Sequence, residues 1–520
     1  MIETAHQHRT SWRHFWRHLF SFIFTRGFFV GSLLLLEIFL FWYYTTNIFN
    51  YNLGVHVLFQ IFSILVVTYV VSTNTQPLYK LAWVTLIFLI PPTGGLIYIL
   101  YTLLGQLAPR HPNKEVIKQA LSKYLAKPDI PTQAQLPPSA RQTIAYLHHF
   151  ENFPVYRHTQ TQYFPCGEDF FPQFLADLKA ANHYIFLEYY IIEEGAVWDK
   201  VLDVLIKKAE QGIEVRVMYD DVGCLFSLPT NYHKKLRRYG IKTAVLNRFR
   251  PLLAFQMNNR DHRKIAIIDG KVGYTSGINL ADEYMNLFPK HGYWKDTAIR
   301  LEGLAVNSLT MMYLQLWNSR HVNDLDFEHY QTHYLQTTDG YVQPFGDNPH
   351  EQNHPGKNVY LNLISKAEKS VWLTTPYLVP DNEFITALTN AAKSGVDARI
   401  IVPGICDHRY VHLLSQSFYL QLIEAGVQIY EFIPGFVHSK TLIVDNTQAV
   451  IGSYNLDFRS FYLQYEAGVY CYRSQAVKQL STDLKNLLIN CRSIHLEDVK
   501  EINFTTRIIR SLIRLVAPLI

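Results

Sequence analysis

Two short stretches of the chain carry residues of the type and spacing that phosphodiester chemistry needs. His262-Arg263-Lys264 is followed, after four residues, by Asp269, and His438-Ser439-Lys440 is followed, after four residues, by Asp445. The offset is 438 − 262 = 176 for the histidines, and 440 − 264 and 445 − 269 give the same value. Asn279 and Asn455 keep that offset, as do Leu280 and Leu456, with the small pair Ser276 and Gly452 just before them. One His-x-Lys is uninformative. Five identities at a single offset mark an internal repeat.

Each residue type has a chemical reason to be there. Alternation along a strand puts His and Lys of each copy on the same side. Lys is a fixed cation suited to a phosphate oxygen, and at about 4 Å with an effective dielectric near 20 the attraction is roughly 4 kcal/mol. An imidazole with an ordinary pKa near 6.5 attacks phosphorus when neutral and donates a proton when charged, so two copies supply one nucleophile and one acid. Asn279 and Asn455 sit in Gly/Ser turns, at Ser276-Gly277 and Gly452-Ser453, where side-chain amides and backbone N–H groups add phosphate donors. Asp269 and Asp445 complete the two candidate catalytic triplets and are expected to orient the lysines or the loops rather than to react.

The elements that would position these groups read as α/β. The run 184–191 predicts a strand, 197–211 a helix and 215–219 a strand. The pattern returns with a strand over 371–377, a helix over 382–394 and a strand over 398–402. Such βαβ order implies a largely parallel sheet with covered faces. Neither half holds more than half a phosphate site, so both His-x-Lys strands must meet in one cleft. Glu188, Tyr189, Asp220 and Tyr377 fall at the C-terminal ends of expected strands, where α/β sheets place ligands, and are candidates for binding hydroxyl groups of a substrate. Packing is the alternative reading for any one of them.

The duplicated His-x-Lys-x4-Asp with its Gly/Ser turn and Asn resembles the phospholipase D superfamily. The surrounding words Val217-Met218-Tyr219-Asp220-Asp221-Val222-Gly223 and Ser276-Gly277-Ile278-Asn279-Leu280-Ala281-Asp282-Glu283-Tyr284 are similar to bacterial cardiolipin synthases. Ser276 departs from the Gly more usual in that family. The resemblance implies two pseudo-symmetric phospholipase D-like halves around one active site, preceded by an N-terminal helical membrane domain. It implies transfer of a phosphatidyl group from one phosphatidylglycerol to another through a phosphatidyl-histidine, giving cardiolipin and glycerol. By the family's habit His262 is the nucleophile and His438 the acid and base. Asp296 and Glu466 are the carboxylates implied behind the imidazoles. No cofactor or metal is expected. Rival readings are a phospholipase D-type hydrolase, a phosphatidyltransferase using another alcohol, and a lipid-binding scaffold. A nuclease is disfavoured by the membrane segments, and no nucleic-acid partner is expected.

The 520 residues exceed one domain, and 48% apolar with 14% aromatic content fits a globular protein with added membrane segments. A net charge of +5 is too mild to argue for nucleic acid. The five cysteines are scattered and lack C-x-x-C spacing, which suggests reduced thiols and no zinc site. Gly27 to Thr46 and Gly54 to Ser72 are each long enough to span about 30 Å of hydrocarbon, with Glu37 inside the first. The third apolar stretch, Leu81 to Leu104, is broken by Pro91-Pro92-Thr93-Gly94-Gly95. Arg9, Arg13, Arg17 and Arg26 mark the cytoplasmic side, and Lys80 and Lys114 share it only if the broken stretch is a hairpin. The expected organisation is a membrane domain over 1–110, a connector over 111–165, halves over 166–345 and 346–495, and a tail over 496–520. In the tail, Arg507, Arg510 and Arg514 share a helical face, which predicts an interfacial helix on anionic lipid. The expected setting is a multi-pass protein of an anionic cell membrane with its catalytic part in the cytoplasm.

Overall fold

A computed structural model describes residues 39, 53–89, 93–107, 136–248, 259–319, 327–337, 340–351 and 353–517. The chain divides into two compact units. One comprises 1–108 with the short pieces 228–230 and 248–257, and the other comprises the remainder.

Among the described residues of the first unit lie three helices, Leu53–Ser72, Pro77–Leu89 and Thr93–Leu107. The last two fold back on each other. Ring centroids of Tyr79 and Tyr101 are 6.4 Å apart, and those of Trp83 and Tyr98 are 5.1 Å apart. A Cβ on Gly94 would meet the Ile87 Cα at 2.7 Å. Partners that rise on one helix as they fall on the other define an antiparallel hairpin, and the bare Gly94 backbone lets it close. Pro91 and Pro92, the expected break, lie outside the described residues, as do the lysines of the connector and, apart from Phe39, the first expected span. Outward-facing positions are apolar too, with Leu58, Leu65, Phe88 and Leu89 all more than half exposed. Among the described residues no helix is long and apolar enough to cross a membrane. The helix Leu53–Ser72 comes nearest, with 20 residues and no Asp, Glu, Lys or Arg.

The second unit is built from two sheets of matching topology. The first takes β1 Thr159–Phe164, β2 Tyr184–Tyr189, β3 Glu214–Asp220, β4 Lys242–Leu246, β6 Lys264–Ile268, β7 Val272–Ser276 and β9 Ala298–Gly303, with β5 Arg260–Asp261 and β8 Tyr293–Lys295 between them in sequence. The second takes β10 Tyr341–Asp347, β11 Ser370–Thr374, β12 Asp397–Pro403, β13 Gln428–Phe432, β15 Thr441–Val444, β16 Gln448–Gly452, β17 Gln464–Tyr472 and β18 Cys491–Ile494, with β14 Gly435–Val437 before the second motif. The spatial orders are β1-β9-β7-β6-β2-β3-β4 and β10-β17-β16-β15-β11-β12-β13-β18. Strand for strand the second repeats the first, with β18 added at its edge.

The sheets are mixed, which corrects the expectation of a largely parallel one. β2, β3 and β4 are parallel neighbours, but β6 pairs antiparallel with both β2 and β7, and β9 pairs antiparallel with β7 and β1. The reason is local. The motif strand turns at Asp269-Gly270, both with positive φ, and returns at once as β7, so no helical crossover separates them. Two boundaries also move: β1 falls inside the stretch read as a connector, and β10 belongs to the second sheet although it begins at Tyr341. Both halves share one apolar core, in which Ile265 and Ile267 of β6 join Ile443, Ile451 and Val469 of the second sheet and the helix Val306–Asn318.

Candidate active site

Short parallel pairings across the two halves set the histidines. β5 runs alongside the start of β17, Arg260 opposite Gln464 and Asp261 opposite Tyr465, and the His262 N–H donates to the Tyr465 carbonyl at 3.0 Å. β14 runs alongside β8 in the same manner, and the His438 N–H donates to the Lys295 carbonyl at 2.7 Å. The next residue along each partner strand is a carboxylate. His262 Nδ1 therefore lies 3.0 Å from Glu466 Oε1, and His438 Nδ1 lies 2.6 Å from Asp296 Oδ2. Each half supplies the carboxylate that orients the other half's imidazole. A carboxylate accepts, so Nδ1 carries the proton and Nε2 keeps the lone pair.

The two carboxylates are held by different means. Glu466 accepts from Ser460 Oγ at 2.6 Å and from Ser453 Oγ. Asp296 Oδ1 accepts from the Thr297 N–H at 2.8 Å. The residue that matches Ser453 at the repeat offset is Gly277, and a Cβ there would stand 2.1 Å from Asp296 Oδ1. The shorter Asp needs that glycine, whereas the longer Glu leaves room for a serine that bonds to it.

Burial sets the charge states. His262 is held well below its ordinary value by desolvation, with Lys264, Lys440, His438 and Arg459 pushing the same way. His438 is lowered to about 4 by burial and Lys440, with Asp296 opposing. Burial also lowers Lys264 to about 7 and Lys440 to about 8. Glu466 is raised to about 7 by burial, against the pull of Lys264. Each ammonium donates to the carbonyl of its own motif histidine, Lys264 Nζ at 2.6 Å from the His262 oxygen and Lys440 Nζ to that of His438. Each ammonium has two further N–H groups, and both lysines are buried.

A cavity of about 730 Å³ opens onto both imidazoles, Asn279, Asn455 and Tyr377. Asn279 is pinned, its carbonyl accepting from the Ile191 N–H at 3.1 Å and its amide donating to the Tyr284 hydroxyl at 2.7 Å. Asn455 Oδ1 is buried with no hydrogen-bond partner. Tyr377 faces the cavity with its hydroxyl on Asp407 at 2.5 Å.

The other sequence candidates are placed elsewhere. Glu188 is fully buried in an ion pair with Arg263 at 2.8 Å, and Tyr189 is packed away in the core. Asp220 accepts from the backbone of Val222, Gly223 and Asp261, holding the turn after β3. Strand alternation explains the miss at β2, because it is the next residue, Tyr190, whose ring meets His262 at 5.1 Å. Ser276 bonds back to the Ile278 carbonyl at 3.2 Å, and Gly452 packs against the β17 backbone. Asp269 and Asp445 sit a strand's length from the histidines. Asp269 accepts from the N–H groups of Asn182, His183 and Tyr184, and Asp445 from those of Glu368, Lys369 and Ser370. They fasten the loops that enter β2 and β11.

Sequence reasoning passed over Ser460, Tyr284, Trp294 and Arg459. The rings of Tyr284 and Trp294 lie 5.4 Å and 5.3 Å from that of His438. The signal for Arg459 was present: 459 − 176 = 283, and Glu283 and Arg459 both line the cavity, with opposite charges.

Comparison with known proteins agrees with this geometry. The family model described as "Cardiolipin synthase, PLD-like domain" matches residues 174–288 and 360–488, one segment in each half. An uncharacterized protein of Streptococcus mutans is 39% identical over 87% of this chain and 99% of its own length. A cardiolipin synthase of Halalkalibacterium halodurans is 33% identical over 86% of this chain and 90% of its own. The crystal structure of a phosphatidylserine synthase from Haemophilus influenzae superposes with a TM-score of 0.57 at 15% identity, over 73% of this chain and 100% of that one, a likeness of fold. With a repeated fold, two opposed histidines and relatives matched nearly end to end, the chain belongs to the cardiolipin synthase family of phospholipase D-like enzymes.

Proposed function

We propose that this enzyme transfers a phosphatidyl group from one phosphatidylglycerol to a glycerol hydroxyl of a second, giving cardiolipin and free glycerol. The observation that carries the reading is the pair of imidazoles in one cavity, each fixed at Nδ1 by a carboxylate from the opposite half. The neutral His262 Nε2 attacks phosphorus, and the bond from phosphorus to the departing glycerol oxygen breaks as His438 delivers its Nε2 proton to that oxygen. His438 is neutral in the empty site and takes up this proton when the anionic phosphodiester binds, with Asp296 favouring the charged ring. His438 then takes the proton from a hydroxyl of the second lipid. That oxygen attacks phosphorus and releases His262, so the enzyme ends as it began. Lys264, Lys440, Asn279 and Asn455 supply charge and donors to the phosphate oxygens as negative charge builds. Burial that lowers both lysines costs little here, since an incoming phosphodiester restores their charge.

The same site fits hydrolysis if water replaces the second lipid. Enzyme given phosphatidylglycerol alone, with a chelator present, is expected to release about one glycerol per cardiolipin. Phosphatidic acid as the main product would instead establish the hydrolase, and loss of all turnover to the chelator would defeat the metal-free route.

The N-terminal residues are assigned to the membrane, with the hairpin Pro77–Leu89 and Thr93–Leu107 entering and leaving on the cytoplasmic side. Its outward apolar side chains support that reading, since water would not stabilise a helix pair that is apolar all round. Cysteines placed near Lys80 and Lys114 should then react with impermeant reagents from one side, and opposite-side labelling would sink the hairpin topology.

A further inference from the structure

The C-terminal helix Phe504–Val516 lies on the catalytic unit the opposite way round from the sequence expectation. Two of its three arginines face the protein. Arg510 donates to Gln416, and the Arg514 guanidinium sits 4.2 Å from the centroid of the Phe418 ring with Gln421 at 3.4 Å. An apolar row is turned outward beside Thr505, Arg507 and Ser511: Phe504, Ile508 and Leu512, four residues apart, are 76%, 44% and 60% exposed. Just past the helix, Ala517 lines the active-site cavity, and so does Tyr410 of the helix Arg409–Gln416 on which it packs.

The apolar edge continues around the mouth. Leu287 and Phe288 are exposed in the turn leading to Lys290 and His291, which line the same cavity. Ile405, exposed as well, has its side chain beside Gly292. Cations are interleaved with these side chains, Arg507 and Arg409 both being exposed.

We propose that this rim is the surface by which the catalytic unit seats on an anionic bilayer. Phe504, Ile508, Leu512, Leu287 and Phe288 enter the boundary between headgroups and acyl chains, and Arg507 and Arg409 meet lipid phosphates. The assignment rests on the phospholipid-transfer reading, because a lipid must pass from the membrane into the cavity that the rim encircles. A protein partner on the same surface would cover that entrance. Apolar side chains mixed with cations match a headgroup layer better than a second protein face.

The test uses the full chain in vesicles of phosphatidylglycerol and phosphatidylcholine, with a benzophenone amino acid replacing Ile508 or Leu512, or replacing the exposed Phe150 as control. Irradiation is expected to give lipid adducts at 508 and 512 and few at 150. Chain-to-chain crosslinks at 508 and 512 would overturn the proposal in favour of a dimer face, and equal lipid adducts at 150 would overturn it as nonspecific. Separately, Ile508→Ser with Leu512→Ser is expected to raise KM for vesicle phosphatidylglycerol about tenfold while kcat on detergent-dispersed lipid is unchanged. Unchanged KM on vesicles would also overturn it. Adducts form whether or not cardiolipin is made, so lipid adducts without cardiolipin would defeat the transfer reading alone.

Discussion

The two histidines are related by the repeat, and so by strand register are the carboxylates behind them, yet those carboxylates are held unequally. Glu466 receives two serine hydroxyls, while Asp296 receives a backbone N–H and presses so closely on Gly277 that no side chain fits there. The cavity wall is uneven in the same way, with Arg459 in one half where the other has Glu283. A duplicated fold has brought two equivalent imidazoles together and then surrounded them unequally. Arg459 adds to the pressure that keeps His262 neutral, which suits the nucleophile's part proposed for it. His438, held at 2.6 Å by its carboxylate, is the better placed to carry a proton in and out.

The most severe way to break this comparison is to remove one imidazole at a time. His262→Ala and His438→Ala should each lower turnover by more than about 10⁴-fold, since each loses a role in both chemical steps. Rapid quenching of His438→Ala with labelled lipid should find phosphorus on His262. Label at His438 in His262→Ala, with none on His262, would exchange the two roles.

Removing the carboxylates one at a time should cost less and tell the halves apart. Asp296→Asn and Glu466→Gln are each expected to lower kcat by about 10²–10³-fold, through loss of the tautomer that leaves Nε2 free. Ser460→Ala should cost only about tenfold, because Ser453 still bonds to Glu466. Equal losses from Ser460→Ala and Glu466→Gln would mean that the hydroxyl touches substrate rather than positioning the carboxylate.

Much of this arrangement was legible in the sequence, and the limits have physical causes. The offset of 176 located both imidazoles, both lysines and both asparagines because catalysis and duplication constrain the same residues. Tyr189 is a sequence candidate and Tyr190 is not, because a strand buried on both faces gives no polar alternation to fix the side that meets the site. The crossed pairing of each histidine with the opposite half depends on β5 and β8, strands of two and three residues. Their partners lie about 140 to 200 residues away, and no local pattern reports such contacts. The inverted C-terminal helix could not be read either, since three arginines on one face look the same whether that face meets lipid or Gln416 and Phe418.

A pH profile addresses the lysines, which the repeat and burial treat alike. Lys264 loses its charge from about pH 7 and Lys440 from about pH 8 in the empty site, their cationic forms being the ones that attract phosphate. The profile of kcat/KM, which reports the free enzyme, should therefore fall on the alkaline side from about pH 7 to 8, by up to tenfold per unit for each lysine. Bound phosphate favours the charged lysines, so the limb in kcat should lie higher. Coincident limbs in both profiles would place the titration on another group.

The smallest expected effect on chemistry comes from the third member of each motif. Asp269 and Asp445 each take three backbone N–H groups at a turn with φ of 52°, and neither lines the cavity. Asn is the informative replacement, because it tolerates the left-handed conformation and keeps one acceptor oxygen while removing the charge. Asp269→Asn should cost about 1–2 kcal/mol of stability, the scale of weakened bonds to a charged acceptor. Turnover per folded molecule should change less than threefold, since β6 still carries Lys264 from its other end. Thermal unfolding together with active-site titration separates these quantities. A fall in kcat as large as that of the carboxylate variants, with no change in Tm, would restore a chemical role to the aspartates. A parallel loss of Tm in Asp269→Asn and Asp445→Asn would instead locate the repeat's remaining symmetry in its loops rather than in its chemistry.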